Sequence, residues 1–191
     1  MTYEQFLEWM DEDQHVEWVD GWVVPMSPIG GQHDVLLRFL ASLMELFVEA
    51  YPVGQLRGEP FQMKTGPGLP GRAPDLLFVA NEHLDRLHET FLEGPADIAV
   101  EVISPESGYR DREEKYKEYE QGGVREYWLI DPQRREAVFF LRGEDGRYHP
   151  VPLEEGGIFR SQALPGWCLK VEWLWEPRPK LLDVMREWGL L

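Results

Sequence analysis

Cysteine is nearly absent from this sequence: Cys168 is the single one among 191 residues. One cysteine allows neither an internal disulfide nor a cysteine-based metal site, which favours the reducing cytoplasm. Long apolar runs are also absent, and none approaches the ~20 residues that a membrane span requires. The first residues are acidic and lack a basic segment followed by an apolar one, so we expect no signal peptide. Together these absences predict a cytoplasmic protein without a membrane partner.

Basic residues are scarce: 19 Lys and Arg stand against 35 Asp and Glu, a formal net charge of −16. This excess opposes tight non-specific binding to a nucleic acid, because contacts to phosphate require Lys and Arg. Residues 1–50 hold ten acids and one base, whereas residues 110–117 hold four bases and three acids. The sequence also lacks a glycine-rich phosphate loop, and its five histidines have no metal-ligand spacing. We therefore expect at most a local basic edge on an acidic body.

What the sequence does contain is an alternation of helical and extended patterns. The predicted helices span residues 3–10, 32–50, 81–88 and 106–121. The predicted strands lie at 74–79, 96–103, 126–130, 137–141 and 148–152, with a strand or strand pair at 56–63, after a hairpin at 16–26 that turns at Asp20-Gly21. No repeat or linker interrupts the chain. We expect one domain over residues 1–191, of the α/β (α+β) class.

Two of the apolar strands contain an acid. Glu101 interrupts the run Ile98 to Ile103, and Asp75 stands at the head of the run Leu76 to Val79. A lone buried carboxylate is costly unless it is paired, hydrogen-bonded or bound to a metal. On neighbouring strands, Asp75 and Glu101 could therefore hold one hard cation. The alternatives are a turn or capping acid for Asp75 and a structural ion pair for Glu101.

Lys115, in the predicted helix 106–121, is a third candidate. Tyr116 and Tyr119 mark the buried face of this helix, and at 100° per residue Lys115 lies about 70° from the centre of that face. Lys115 is thus predicted at the border of the buried face, whereas Lys117, about 130° away, is predicted to be solvated. An ammonium at the border can reach the space between Asp75 and Glu101. The alternatives are one more charge on a solvated helix, or an ion pair with Glu101.

Glu17 and His33 are weaker candidates. Glu17 interrupts the apolar strand Val16 to Val19, and His33 lies near the start of the long helix. Both could converge on the same site. Each has an ordinary alternative of equal weight, because Glu17 can face outward from a hairpin and His33 can be a polar residue at a helix N-terminus.

The candidate residues stand in segments that resemble, in sequence and in their order along the chain, the Uma2 family, a domain of unknown function grouped with restriction endonucleases. The resemblance covers about residues 3–175 and leaves 176–191 as a C-terminal extension. Its most specific parts are Asp75 and the segment Glu101 to Pro105. The other matching segments are 16–21, Met26-Ser27-Pro28 with His33, 74–79, 111–115 with Tyr119, and 122–131. The family is placed in the PD-(D/E)xK nuclease-like superfamily, which implies a restriction-endonuclease-like central mixed β-sheet flanked by helices.

The resemblance also implies roles for residues. Asp75 and Glu101, with the Val102 carbonyl, would bind Mg²⁺, for which Mn²⁺ can substitute. Lys115 would assist the nucleophilic water, because Ile103 occupies the position two residues after the glutamate where the superfamily usually has lysine. Glu17 would be an additional acid, able to hold a second metal, and His33 fits the family pattern without an assigned role.

The resulting hypothesis is an Mg²⁺-dependent endonuclease that hydrolyses phosphodiester bonds in DNA. Bound metal would then raise thermal stability, because the acids repel one another without it. One alternative is a non-catalytic structural or interaction protein that keeps the fold, with Glu101–Lys115 as a structural ion pair, a reading that the charge of −16 favours. Another is an enzyme that acts on a smaller phosphoester. Eight tryptophans are consistent with self-association as a homo-oligomer, with a dimer as the simplest form, although most of them are expected in the core.

Overall fold

The computed structural model describes residues 1–11, 14–27 and 30–191; Pro28, part of one segment that resembles Uma2, lies outside them. The α-helices are α1 (Tyr3–Trp9), α2 (Gly31–Ala50), α3 (Tyr116–Gly122) and α4 (Leu181–Glu187). Short 3-10 helices span Asn81–Arg86 and Val171–Leu174, and a π-helical segment, Arg110–Lys115, runs directly into α3. The strands are β1 (Val16–Val19), β2 (Trp22–Pro25), β3 (Gly54–Gly58), β4 (Gln62–Lys64), β5 (Gly71–Arg72), β6 (Leu76–Ala80), β7 (Phe91–Glu93), β8 (Ile98–Val102), β9 (Glu126–Asp131), β10 (Glu136–Arg142), β11 (Tyr148–Pro150), β12 (Ile158–Arg160) and β13 (Cys168–Lys170).

A mixed six-stranded sheet forms the centre of the molecule, in the order β11-β10-β9-β8-β6-β3. Strands β8 and β9 are parallel, and the other neighbours are antiparallel. The segment that contains the π-helix and α3 makes the crossover between β8 and β9, as a parallel connection requires. This architecture confirms the predicted α+β class with a central mixed sheet flanked by helices.

Helix α2 covers one face of the central sheet. Its buried side chains recur at helical spacing and pack on alternate residues of β8, namely Ile98, Val100 and Val102. The buried α2 residues are Leu36, Leu40, Leu43, Met44 and Phe47. The predicted helix 32–50 is therefore confirmed to within one residue.

The opposite face of the sheet carries the two candidate acids. Side chains alternate along a strand, so Glu101 shares its face with Ala99, which packs in a cluster with Tyr119 of α3. Asp75 precedes β6 and, two residues before Leu77 of that cluster, lies on the same face of the sheet. Because Leu76 pairs with Val100 in antiparallel register, one more step of the register sets Asp75 beside Glu101.

A second sheet, in the order β2-β1-β5-β4-β7, was not predicted from the sequence. Strands β4, β5 and β7 contain only three, two and three residues. Such strands are too short to produce a periodic pattern. The β1–β2 hairpin was predicted, and its turn residues Asp20 and Gly21 take φ values of 50° and 86°, as the tight turn requires. This second sheet positions Glu17, which lies in β1.

The C-terminal region packs on the α2 side of the molecule. The β12–β13 hairpin contributes Phe159 and Leu169 to the α2 cluster, and α4 contributes the buried Val184. Across the described ranges, no helix has the length and apolar character needed to cross a bilayer.

Candidate active site

Asp75 is held at the end of a strand by a backbone group of the neighbouring strand. Its carboxylate is 7% exposed, and Oδ2 accepts a hydrogen bond from the Val102 N–H at 2.6 Å. This bond ties the start of β6 to the end of β8, the strand that carries Glu101. The carboxylate is therefore fixed in position by the backbone before any ligand binds.

Glu101 is 2% exposed and receives two side-chain donors on the same oxygen. Oε1 accepts from Lys115 Nζ at 2.8 Å and from the Tyr119 hydroxyl at 2.9 Å. Burial raises the pKa of Glu101 well above its ordinary value, and the carboxylates of Asp111 and Asp75 act in the same direction against the opposing effect of Lys115. Lys115 therefore does not fully offset the free-energy cost of burying the charge on Glu101.

Lys115 is buried, with 1% of its surface exposed. Its Nζ lies 2.8 Å from Glu101 Oε1, 3.2 Å from Glu17 Oε1 and 3.8 Å from Asp111 Oδ1. Burial alone would lower the pKa of Lys115, but these carboxylates outweigh burial and raise it above its ordinary value. Lys115 is therefore an ammonium group that bridges two sheets.

Lys115 was predicted at the border of the buried helix face, but in the structure it is fully buried. The prediction assumed 100° per residue, but Arg110–Lys115 is π-helical, with i→i+5 hydrogen bonding. The wider turn changes which residues share a face and turns Lys115 fully inward. Lys117 is exposed and pairs with Glu113, as predicted for the solvated side.

Glu17 reaches the same lysine from the second sheet. It is fully buried, and its Oε2 accepts from Arg72 Nη1 at 2.9 Å while Oε1 accepts from the Ala73 N–H at 3.3 Å. Burial would raise the pKa of Glu17, but Lys115 and Arg72 together hold it below its ordinary value. Glu17 is thus an ionised acceptor already used by protein donors, and it does not line the cavity described next.

A small cavity of about 40 Å³ lies between the two strand ends and the π-helical segment. This volume admits only a few water molecules, since one water needs roughly 10–15 Å³ on the same measure. Its charged lining consists of Glu59, Asp75, Glu101, Arg110, Asp111 and Lys115. Four carboxylates against two cations leave a formal excess of two negative charges when His33 is neutral.

His33 and Asp111 each present an unsatisfied polar atom in this region. His33 Nε2 lies 3.4 Å from Asp75 Oδ2 without the alignment of a hydrogen bond, and it has no other partner among the residues that the structure describes. Burial would lower the pKa of His33, but Asp75 foremost, with Glu59 and Asp111, raises it. Asp111 Oδ1 is also buried without a hydrogen-bond partner. Buried polar atoms are normally satisfied, so both atoms are suited to contact a bound ligand.

The sequence profile of the Uma2 family, described as "Putative restriction endonuclease", matches residues 3–172. The chain belongs to the Uma2 family. A solved structure from Anabaena variabilis, described as a putative nuclease belonging to DUF820, aligns with a TM-score of 0.68 over 98% of each chain. Its sequence identity is 14%, so this likeness shows a shared fold. No curated protein matches the chain.

The Uma2 match contains every predicted site residue and ends before α4. The structure brings Asp75, Glu101, Lys115 and His33 to one cavity and sets Glu17 against Lys115. The predicted extension 176–191 contains α4, which packs on the core through Val184.

Sequence reasoning missed three charged residues of the candidate site. Glu59 lies in the link between β3 and β4, where no pattern distinguishes it from other loop acids. Asp111 and Arg110 face the cavity because of the π-helical turn, which a regular helical projection does not reproduce. The one available signal was the charge balance of residues 110–117, which hold four bases and three acids in an acidic chain.

The donor set suits Mg²⁺. Carboxylate and carbonyl oxygens are its preferred protein ligands, and Mg²⁺ typically uses one or two carboxylates, keeps several waters and completes its shell with substrate phosphate. Asp75 and Glu101 line the cavity, as does Val102, whose carbonyl is the third predicted ligand, and the charged lining has an excess of negative charge. In the described part of the chain, no group of three or more His, Cys, Asp or Glu side chains is arranged to hold a metal ion. A partly hydrated ion is therefore the one that these residues fit.

Proposed function

We propose that this Uma2 protein is an Mg²⁺-dependent endonuclease that hydrolyses phosphodiester bonds in DNA. The observation that carries the proposal is the convergence of Asp75, Glu101 and Lys115 on one cavity, from the position just before β6, from β8 and from the π-helical segment. Two carboxylates and an ammonium around one cavity are the minimum set for metal-assisted hydrolysis of a phosphodiester. Family membership supports the same reaction class.

Asp75, Glu101 and the Val102 carbonyl would hold the metal, for which Mn²⁺ can substitute. Bound Mg²⁺ supplies Lewis-acid polarisation of the phosphodiester and lowers the pKa of a water molecule. The backbone bond from Val102 to Asp75 fixes the two strand ends in advance. Such preorganisation means that little rearrangement is needed when substrate binds.

Lys115 would orient the attacking water and offset the negative charge that develops on phosphorus-bound oxygens. Its two short ion pairs, with Glu101 at 2.8 Å and Glu17 at 3.2 Å, set its position. Glu17 is saturated by Lys115, Arg72 and a backbone N–H, which supports a positioning role rather than the second metal site predicted for it.

A cleavage assay tests this proposal. Plasmid DNA, single-stranded DNA and RNA are incubated with Mg²⁺ or Mn²⁺, and the wild-type protein is compared with Asp75→Asn, Glu101→Gln and Lys115→Met. The matched control is Glu113→Gln, an exposed acid on the same helical segment. We expect cleavage of DNA by the wild type and the control and none by the three variants. Activity that survives Glu101→Gln, or a folded wild type that cleaves no substrate, overturns the proposal.

A second candidate function rests on one specific contact. Glu101 and Lys115 lie 2.8 Å apart with almost no exposure, which is also what a structural ion pair in a non-catalytic scaffold requires. In that case millimolar Mn²⁺ leaves the thermal stability of the wild type unchanged. The nuclease proposal requires an increase, because a ligand that binds the folded state stabilises it.

The charge of −16 also bears on the substrate. Long-range attraction to DNA is opposed by the acidic body, so affinity must come from short-range contacts to phosphate or from a second protein copy. We propose a homodimer as the active form. Light scattering coupled to size exclusion, performed with and without DNA, tests it.

A further inference from the structure

Arg110 differs from the neighbouring cations in having no partner. Arg72 pairs with Glu17 and Glu118, and Arg112 pairs with Asp131. Lys115 pairs with Glu101 and Glu17. Arg110 makes no ion pair within 4.0 Å among the residues that the structure describes, and its buried Nε has no hydrogen-bond acceptor.

Arg110 faces the same cavity as the two candidate metal-binding acids. It lines this cavity together with Asp75, Glu101 and Lys115. In a regular α-helix, residues 110 and 115 would point about 140° apart. The i→i+5 bonding of the π-helical segment instead brings residues five apart toward one face, so Arg110 and Lys115 approach the cavity together.

An unpartnered guanidinium beside four carboxylates needs an explanation. Buried N–H groups without an acceptor are rare because they lose the hydrogen bond that water would give. None of the acids that line the cavity lies within 4.0 Å of the Arg110 guanidinium, although Asp111 Oδ1 has no hydrogen-bond partner among the described residues. Arg110 as a whole is half-buried, so an oxygen from outside the chain, of water or of a ligand, can accept from it; among ligands, a planar N–H fork is best matched by phosphate or carboxylate oxygens.

We infer that Arg110 is a substrate-binding residue whose guanidinium donates to the non-bridging oxygens of the phosphodiester seated beside Asp75, Glu101 and Lys115. This inference rests on the proposed function and deepens it. Arg110 is then the cation whose short-range contact lets a chain of net charge −16 bind a polyanion at one point. The contact also neutralises charge on the phosphate as water attacks, so Arg110 acts on both binding and turnover.

The experiment compares Arg110→Ala and Arg110→Lys with the wild type. The matched control is Lys117→Ala, which removes an exposed cation from the same helical region. Affinity for a labelled single-stranded DNA oligonucleotide is measured in Ca²⁺ at several salt concentrations, and a gel verifies that the oligonucleotide stays intact. KM and kcat are measured with bis(4-nitrophenyl) phosphate in Mn²⁺, and thermal shifts with Mn²⁺ alone report metal binding.

We expect Arg110→Ala to weaken oligonucleotide binding about tenfold or more and to raise KM, because a charge-assisted contact is lost. The slope of log Kd against log salt should fall by about one, the value for one phosphate contact. Arg110→Lys should keep the salt slope and recover only part of the affinity, since lysine lacks the fork. Lys117→Ala should match the wild type, and the thermal shift with Mn²⁺ should be equal in every variant.

Three outcomes overturn the inference. If the wild type cleaves and Arg110→Ala retains KM, kcat and the salt slope, Arg110 does not contact substrate, while the nuclease proposal stands. If Arg110→Ala loses the Mn²⁺ shift, the residue supports the site structurally instead. If the wild type neither binds nor cleaves a phosphodiester, both the inference and the proposed function fail.

Discussion

Glu101 and Glu126 are both almost fully buried glutamates on adjacent parallel strands of the central sheet. Glu126 accepts from Trp128 Nε1 and Ser161 Oγ on one oxygen and from the N–H groups of Gln162 and Ala163 on the other. Glu101 accepts from Lys115 and Tyr119 on a single oxygen and borders a cavity. Both carboxylates are costly to bury, yet only one is fully satisfied by the protein.

The comparison separates a structural carboxylate from a candidate functional one. Glu126 uses neutral donors on both oxygens to fasten the β12 region to β9, so it has no capacity left for a ligand. Glu101 retains capacity, lies beside Asp75 and has a raised pKa because of its burial. Burial alone therefore does not identify a site. A candidate site is identified by how many donors already bind the carboxylate and by whether a cavity adjoins it.

The largest expected effect is loss of catalysis on Glu101→Gln. The amide keeps the shape of the side chain but removes the charge needed to bind metal and hold Lys115. We expect the rate of DNA cleavage to fall at least about 10²-fold. Steady-state cleavage of plasmid by protein of verified fold measures it, with Glu113→Gln as control. Wild-type rates in the Glu101 variant would remove the distinction between the two glutamates.

The second effect is on stability, and it concerns Glu126→Ala. Three buried donors and one partly buried donor lose their acceptor, and each buried unsatisfied group costs about 1–3 kcal/mol, so the free energy of unfolding should fall by about 3 kcal/mol or more. Urea denaturation measures it. The activity per folded molecule should match the wild type. A reduced kcat in protein shown to be folded would mean that Glu126 also acts on the site.

The third effect is pH-dependent stabilisation by metal. The raised pKa means that folded, metal-free Glu101 binds more protons than the unfolded chain, so its contribution to stability falls as pH rises above the ordinary glutamate value. Metal competes with this proton, and its stabilisation should grow from pH 5.5 to pH 8.

At 100 times the dissociation constant, metal adds about 2.7 kcal/mol. For a chain of this size, that corresponds to a rise in Tm of about 5–10 °C. Scanning fluorimetry with Mn²⁺ at the two pH values measures the difference, and Glu101→Gln is the control that should lose it. Equal shifts at both pH values would exclude Glu101 as the competing group.

The smallest effect is expected for Tyr119→Phe. The variant removes one of the two donors to Glu101 Oε1 and should cost about 1 kcal/mol of stability. Cleavage should fall up to about tenfold, because Lys115 alone then orients the carboxylate. Tyr148→Phe is a matched control, since its hydroxyl donates to the Val124 carbonyl, away from the site. Equal loss of activity in both variants would show that the effect is general destabilisation.

Much of the central fold could be predicted from local patterns. The apolar spacing of α2, the β-branched run of β8 and the turn at Asp20-Gly21 all encode their structures within a few residues of sequence. The end of α3 was predicted from Gly122-Gly123, and Gly123 caps it with a φ of 90°. In each case a short-range preference and the tertiary fold agree.

The remaining features depend on contacts that are distant in the sequence. The second sheet pairs β1 with β5 and β4 with β7 through strands too short to show periodicity. Arg72 pairs with Glu17 across 55 residues, and nothing local distinguishes it from other arginines. The π-helical turn breaks the 3.6-residue repeat on which the position of Lys115 was predicted. Sequence patterns thus located the acids better than they located the cations.

Arg72 joins Glu17 of the second sheet, which also pairs with Lys115, to Glu118 of α3. The N-terminal hairpin is thereby part of the machinery that surrounds the lysine, although it lies far from Asp75 and Glu101 in sequence. A fragment trimmed to begin at α2 would keep Asp75 and Glu101 but would lose Glu17, which pairs with Lys115. Any minimal version of this protein must therefore start upstream of the hairpin.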